Sequence, residues 1–534
     1  MFRDARTVED GAVLETDVCI VGTGAAGVTC AAELRSTGRR VLVVEAGGLK
    51  PEPATEALNE FESTDMAVPV TSRERRFGGT TNSWWGKVAL LDESDFVARD
   101  WLPGSGWPVS RSDLLPFYRR ACDLLRIPDL TRFDAATAFG GRRPRLVGDG
   151  LEHKAFFWTR DALNFGAHYR RSIAGASNVS TLLHANITEV CLDENGRVDR
   201  LAVATVNGRR FSIRPAIVIL ACGGIENARL LLASRSRTPA GVGNDGGLVG
   251  RYYMDHPRGP SGIVEASPAL SALSPAYWSG KRSGAVRFRL GVGFSPAEQA
   301  ERQVLNSYVN LNPIYGGAAV AAIRNLYRRR AAALRDRSLL RSLVTGVPDV
   351  ARYFAFKRYG RGSVQTLAIE NFMEQEPRYT NAVTLSERRD QFGNPLARVA
   401  WTLSERDRRS LRVLHETLDG ALRRRGMGRL RTPLLSDAED GWPVANDAAH
   451  HIGTTRMGTN TKTSVVDGSC RVHGIENLYV AGSSVFPTGG SANPTLTIMA
   501  LASRLSDHVR SKLGSTITAR PVDGAVGASQ EKTA

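Results

Sequence analysis

The 534-residue chain lacks long apolar runs: nothing in it approaches the ~20 consecutive apolar residues that a membrane-spanning helix requires, so no membrane span is expected. Its first residues, MFRDARTVEDGAVLETD, contain no apolar core of the secretory type, and no signal peptide is expected there. Cysteine is sparse. Cys19, Cys30, Cys122, Cys191, Cys222 and Cys470 are widely separated and form no C-x-x-C pair. That spacing argues against a disulfide scaffold and against a thiolate metal site, and leads us to expect a reduced, cytoplasmic, metal-free protein. Lysine is scarce too, at 8 of the 70 basic residues, a skew that a GC-rich coding genome explains without a selected binding surface.

What remains is the composition of a large globular protein, 42% hydrophobic and 23% charged, long enough for two or three domains. The formal charge of +16 would suit a nucleic acid or an anionic surface. Its distribution points elsewhere: residues 324–361 hold eleven Lys or Arg against only Asp336 and Asp349, so one segment carries much of the excess. No aromatic-basic module accompanies it, and no nucleic-acid partner is expected. That segment interleaves Leu326, Leu334, Leu340, Leu343 and Phe354, and reads as a solvated face, with amphipathic contact to a membrane or partner as the alternative. Residues 515–534 are small and polar and read as a flexible tail.

The sharpest local pattern is DVCIVGTGAAGVTC at 17–30. Residues 18–21 predict a strand, 25–36 a helix and 41–45 a second strand. Gly22, Gly24 and Gly27 spell G-x-G-x-x-G at the strand–helix junction. Gly22 permits the tight turn, Gly24 lets a pyrophosphate approach the backbone, and Gly27 lets helix and strand close up, with the helix N-terminus facing the phosphates. Glu45 ends the second strand, 18 residues beyond Gly27, where an acid binds ribose hydroxyls. An acid there disfavours a 2′-phosphate, hence NADP, but does not separate NAD from FAD.

Downstream, 49–70 reads as a polar excursion or lid, and 110–126 as a helix opened by Ser110 and Asp113. Strands are expected over 179–190, 198–206 and 210–220, with 216–220 apolar enough to be buried on both faces. Residues 380–407 read as strand, Gly-Asn turn, strand, and 404–424 as a helix capped by Ser404. Five further segments stand out: FGGTTNSWWG (77–86), ACGGIENARLLLAS (221–234), HHIGTTRMG (450–458), SVVDGSCRVHGIENLYV (464–480) and SANPTLT (491–497). With the glycine motif, and in this order and spacing, they resemble the glucose–methanol–choline (GMC) family of FAD-dependent oxidoreductases over nearly the whole chain. Within it the pattern looks like the bacterial branch related to pyranose oxidases and sugar or aminoglycoside alcohol oxidases.

The resemblance implies an α/β fold. A Rossmann-like FAD-binding domain would be assembled discontinuously from 12–50, 181–251 and 445–514. An α+β substrate domain built on an antiparallel sheet would occupy 252–444, with 51–180 supplying a flavin-covering loop and lid. FAD is then the expected cofactor. Gly78 and Gly79 offer it unshielded backbone N–H groups, Asn82 and Ser83 would bond the polar edge of its ring, and Trp84 and Trp85 supply flat walls. Ser83 stands where some relatives tether FAD through a histidine, so binding is expected to be non-covalent. Gly482 replaces an acid common at that place in the family, leaving a backbone N–H to reach the ribityl or phosphate groups.

Alcohol oxidation needs a base for the hydroxyl proton and a donor to hold the oxygen. A histidine suits the first role and an Asn amide the second. The resemblance implies which residues these are: the family's H-x-x-G-T motif, counted back from Gly453 and Thr454, gives His450 rather than His451, and Asn493 of N-P-T stands where the family places its second active-site residue. His451, His256 and His473 read as structural. Glu370, Glu374 and Glu376 also read as structural, with substrate contact as the alternative. The expected substrate is a small sugar-like alcohol, in particular a hydroxymethyl group of an amino sugar in antibiotic biosynthesis. The electron acceptor would be oxygen, a quinone or a redox protein. Two rivals stand beside this reading: a non-redox lyase on the same flavoprotein fold, and a nucleic-acid-binding protein.

Overall fold

The computed structural model describes residues 1–134, 146–159, 163–266, 275–278, 281–283, 286–314, 366–435 and 448–514. The basic stretch 324–361 and the tail from 515 lie outside the described residues. Two eight-stranded sheets dominate. The first is mixed. Its parallel part runs Phe2–Asp4, Val179–Leu183, Val41–Val44, Val13–Val21, Arg210–Leu220. Leu478–Val480 pairs parallel with the C-terminal end of Arg210–Leu220. The N-terminal end of that same strand instead pairs antiparallel with Val198–Ala204, which leads to Asn186–Leu192. Residues 18–21 form an unbroken apolar run because strands flank them on both sides and every one of them is buried.

One expected element is split. Residues 179–190 fall in two strands on opposite sides of the sheet's centre, separated at His184, whose φ is +59°. The amides of His184 and Ala185 leave the ladder and donate to the carbonyls of Gly47 and Glu45, at 3.1 and 3.0 Å. No Gly or Pro marks this break, since the partner that captures the backbone is distant in sequence.

Helix Ala25–Leu34 packs against the long C-terminal helix Thr495–Lys512, which also packs against Arg111–Leu124. The second sheet is antiparallel, in the order Gly428–Arg431, Arg258–Ala266, Thr366–Met373, Ser307–Pro313, Val286–Phe294, Leu151–Trp158, Lys87–Val88, with Lys281–Ser283 beside Val286–Phe294. Helix Glu405–Arg424 packs against this sheet; it is capped reciprocally by Ser404 and Asp407 and buries Leu411, Leu414, Leu418 and Leu422 at helical spacing. A three-stranded sheet of Phe61–Asp65, Ala382–Arg389 and Pro395–Trp401 completes the architecture, and draws the expected polar excursion into regular structure. Among the described residues no helix is long and apolar enough to cross a membrane.

Candidate active site

Four parallel strands of the mixed sheet end level with one another: Val21 pairs with Val44 and with Leu220, and Leu220 with Val480. The residues that follow, Gly22, Glu45, Cys222–Gly224 and Gly482, line one cavity of about 1110 Å³. Carboxyl ends of parallel strands are the usual ligand edge of such sheets. The opposite wall of the cavity is the antiparallel sheet, through Phe156, Trp158 and Phe372 among others. Between these walls lie His450, His451 and Asn493.

His450 is placed by backbone pairing. Met254 and Ile452 form an antiparallel bridge, with N–H···O bonds of 3.0 and 2.9 Å in the two directions. Two residues either side of that bridge, His256 and His450 oppose each other, and their Nδ1 atoms are 2.9 Å apart. The Asp255 carboxylate clamps the same loop, accepting from the amides of Ala448 at 2.9 Å and His450 at 3.0 Å. Asn493 precedes Pro494, the N-cap of the C-terminal helix, and its Nδ2 lies 3.5 Å from His450 Nε2.

The hydrogen bonds determine which nitrogen of His450 is bare. His256 Nε2 faces two carbonyl oxygens, Gly490 at 3.0 Å and Gly489 at 3.3 Å, so it must carry a hydrogen. Burial pushes the His256 pKa down to about 4, so the ring is neutral and its Nδ1 is an acceptor. His450 Nδ1 therefore donates to it, leaving His450 Nε2 as a lone pair beside Asn493. Burial also holds His450 well below the ordinary imidazole range, helped by His256, Arg258 and Lys87 nearby. A buried neutral imidazole with its free lone pair at a cavity wall is equipped to take a proton. His451 is different: its carbonyl accepts from Ser483 Oγ at 2.7 Å, while its buried Nε2 has no partner and its pKa is pushed to about 3.

Comparison with known proteins agrees with this geometry. Residues 377–502 match the GMC oxidoreductase C-terminal model, and 20–48 match an NAD(P)-binding Rossmann-like domain. Paromamine 6'-oxidase of Streptomyces fradiae is 27% identical, covering 94% of this chain and 93% of its own length. The 6'''-hydroxyparomomycin C oxidase of Streptomyces lividus is 26% identical, covering 93% and 92%. A solved structure of Aspergillus oryzae formate oxidase, described for its FAD modification, superposes with a TM-score of 0.56 at 19% identity, over 95% of this chain and 99% of its own. Together these matches support a member of the GMC oxidoreductase family. It is an FAD-dependent enzyme that oxidises an alcohol.

The cavity suits FAD. Gly24, Gly223 and Gly482 all line it, and a methyl group added at any of them would meet no protein atom within 4 Å and would occupy ligand space. Gly27, by contrast, lies against the Gly22 carbonyl and has no room for a side chain. Asn493 Oδ1 is buried without a partner, as an acceptor awaiting a ligand is. Glu45 is buried, its carboxylate accepting from Thr23 and from the Gly47 amide at 3.0 Å, so Thr23 and the turn hold it at the strand end.

The 77–86 loop divides. Gly79, Ser83, Trp84 and Trp85 line the cavity. Trp84 is anchored by Nε1 donating to Leu163 O at 2.9 Å, and Trp85 is 80% exposed at the rim. Asn82 is not among the lining residues; its amide donates to the carbonyls of Phe77 and Gly79, at 3.0 and 2.9 Å, and braces the loop. Of the three glutamates, Glu370 lines the cavity, whereas Glu374 is bound by Arg99 and Glu376 by Arg406. Sequence reasoning read His256 as structural and did not single out Lys87; their places depend on pairings between segments far apart in the chain.

Proposed function

We propose that this enzyme oxidises a hydroxyl of a small sugar-like molecule to an aldehyde or ketone, with His450 as the base and Asn493 as the donor that holds the reacting oxygen. The observation that carries the reading is the unprotonated Nε2 of His450 at the cavity wall, 3.5 Å from the Asn493 amide. The hydroxyl proton passes to Nε2 while Asn493 donates to the oxygen as negative charge gathers on it. His256 keeps the receiving lone pair pointed at the substrate by accepting from Nδ1–H. Desolvation by the closed walls keeps His450 neutral between turnovers. FAD, when bound, supplies the hydride acceptor. Residues 12–50, 181–251 and 445–514 would hold it, and 252–444 would shape the substrate side. A sugar-like substrate is supported by the names of the two Streptomyces relatives and by the aromatic and amide groups of the antiparallel wall.

Anaerobic titration of the yellow holoenzyme with sugar alcohols tests this. Bleaching of the flavin is expected, and admission of oxygen with peroxide release would mark oxygen as acceptor over a quinone or redox protein. Substrate conversion without bleaching would replace the oxidoreductase reading with the lyase.

A further inference from the structure

Resting on the sugar-like reading above, we propose that the substrate alcohol carries an anionic group, a carboxylate or a phosphate, which docks on the cavity face of the antiparallel sheet. Strand register puts the charges there. Arg258 pairs with Phe372, and Glu370, two residues before Phe372, shares its face. Arg289 pairs with Phe156, and Lys87 with Trp158, again on that face. All four charged residues line the cavity.

Each cation has a different anchorage. Lys87 Nζ sits 3.9 Å above the Phe156 ring and 5.1 Å from the Phe372 centroid, and donates to Tyr308 OH at 2.9 Å. The centroid of the Phe372 ring in turn lies 5.9 Å from that of His450. Arg258 is exposed, and its side chain makes no ion pair or hydrogen bond among the described residues. Arg289 is held by the carbonyls of Tyr277 and Leu311 and by Asn312 Oδ1, at 2.6–2.8 Å.

Against them stands one cavity carboxylate among the described residues of this wall, Glu370, which accepts from Asn312 Nδ2 at 3.1 Å. Burial pulls the Lys87 pKa to about 7; Glu370 opposes that shift, and Arg289 and Arg258 add to it. A cationic amino sugar would add to this excess, whereas an anion relieves it and takes charge-assisted hydrogen bonds from Arg258 and Lys87.

The experiment compares gluconate, glucose 1-phosphate, glucose and glucosamine in anaerobic flavin bleaching of the holoenzyme. One of the two anions is expected to act at an at least about tenfold lower half-saturating concentration than glucose, with glucosamine poorest and the advantage eroded by salt. Arg258→Gln should remove most of that advantage of anion over glucose, and Lys87→Met should do the same from a second position. Tyr308, Glu370, Arg289 and Arg258 surround Lys87, and as pH rises past about 7 its charge is lost. The half-saturating anion concentration should then rise while that of glucose stays flat. Gluconate and glucose 1-phosphate distinguish carboxylate from phosphate. Glucose or glucosamine matching both anions overturns the proposal, as does an anion preference that neither variant changes. If none of the four bleaches the flavin, the sugar-like reading fails. The charge claim is then decided by 4-hydroxybutyrate against 1,4-butanediol and 4-amino-1-butanol, where preference for either of the latter two overturns it.

Discussion

His450 owes its state to its neighbours: burial keeps it neutral, and His256 directs its hydrogen inward. Replacing the proposed base should be severe. His450→Ala is expected to retain FAD yet slow anaerobic flavin reduction by roughly 10²–10⁴-fold, whereas His451→Ala should stay within about tenfold. Stopped-flow reduction checks both, and the opposite ranking would move the base by one residue. His256→Leu removes the acceptor for Nδ1–H, lets the His450 hydrogen sit on either nitrogen, and should slow reduction by about 10- to 100-fold. His256→Asn restores an acceptor oxygen and should recover most of the rate. ¹⁵N spectra of the histidine-labelled holoenzyme supply the decisive readout: the Nδ1–H form of His450 in the wild type and in the His256→Asn variant, a mixture of tautomers in the His256→Leu variant. A base whose pKa lies below the ordinary range loses its lone pair only on acidification. Reduction of a neutral substrate should therefore be flat through neutral pH and fall only in acid, and a rise centred near pH 6.5 or above would contradict the assignment.

At the scale of elements, the opening strand–turn–helix separates residues that bind from residues that fold. Gly24 has a φ of −66° and open space where a side chain would go, whereas Gly27 lies against the Gly22 carbonyl. Gly24→Ala should leave the melting temperature of the apoprotein unchanged while lowering flavin occupancy, read as the visible-to-ultraviolet absorbance ratio. Gly27→Ala should cost about 1–3 kcal/mol of stability as helix and strand are forced apart. Equal melting temperatures for the two apoproteins would show that both glycines serve the ligand alone. Much of this level is legible in sequence because its causes are local. The caps Ser110–Asp113 and Ser404–Asp407 close as their spacing predicts. The break at His184 is not legible, because the carbonyls that capture its backbone belong to the 45–47 turn.

For the whole molecule, the cavity separates two sheets that meet across it, so its filling and the stability of the chain are linked. Supplying FAD at about 1,000 times its dissociation constant should stabilise the protein by about 4 kcal/mol and raise the melting temperature of the stripped apoprotein. Ser83, whose hydroxyl lies 3.5 Å from the Thr80 carbonyl, offers no ring nitrogen for a tether. Acid precipitation should therefore release all the yellow colour into the supernatant. Colour retained in the pellet would demonstrate a covalent bond, and an unchanged melting temperature with added FAD would show that the cavity does not hold it.

Family, cofactor and the identity of the two candidate reacting side chains are properties of short motifs, and the sequence by itself determines them. Turn geometry, glycine spacing and H-x-x-G-T act within a few residues of their own position. Tertiary structure decides what those side chains can do. His256 is 194 positions from His450, and only the antiparallel bridge at Met254 and Ile452 sets them face to face and selects the tautomer. Asn82 turns its amide into its own loop because the Phe77 and Gly79 carbonyls need donors. Lys87, Arg258 and Arg289 become one charged wall through strand register alone. Register arises from non-local pairing, and a shift of one residue would turn each of those charges to the opposite face of the sheet.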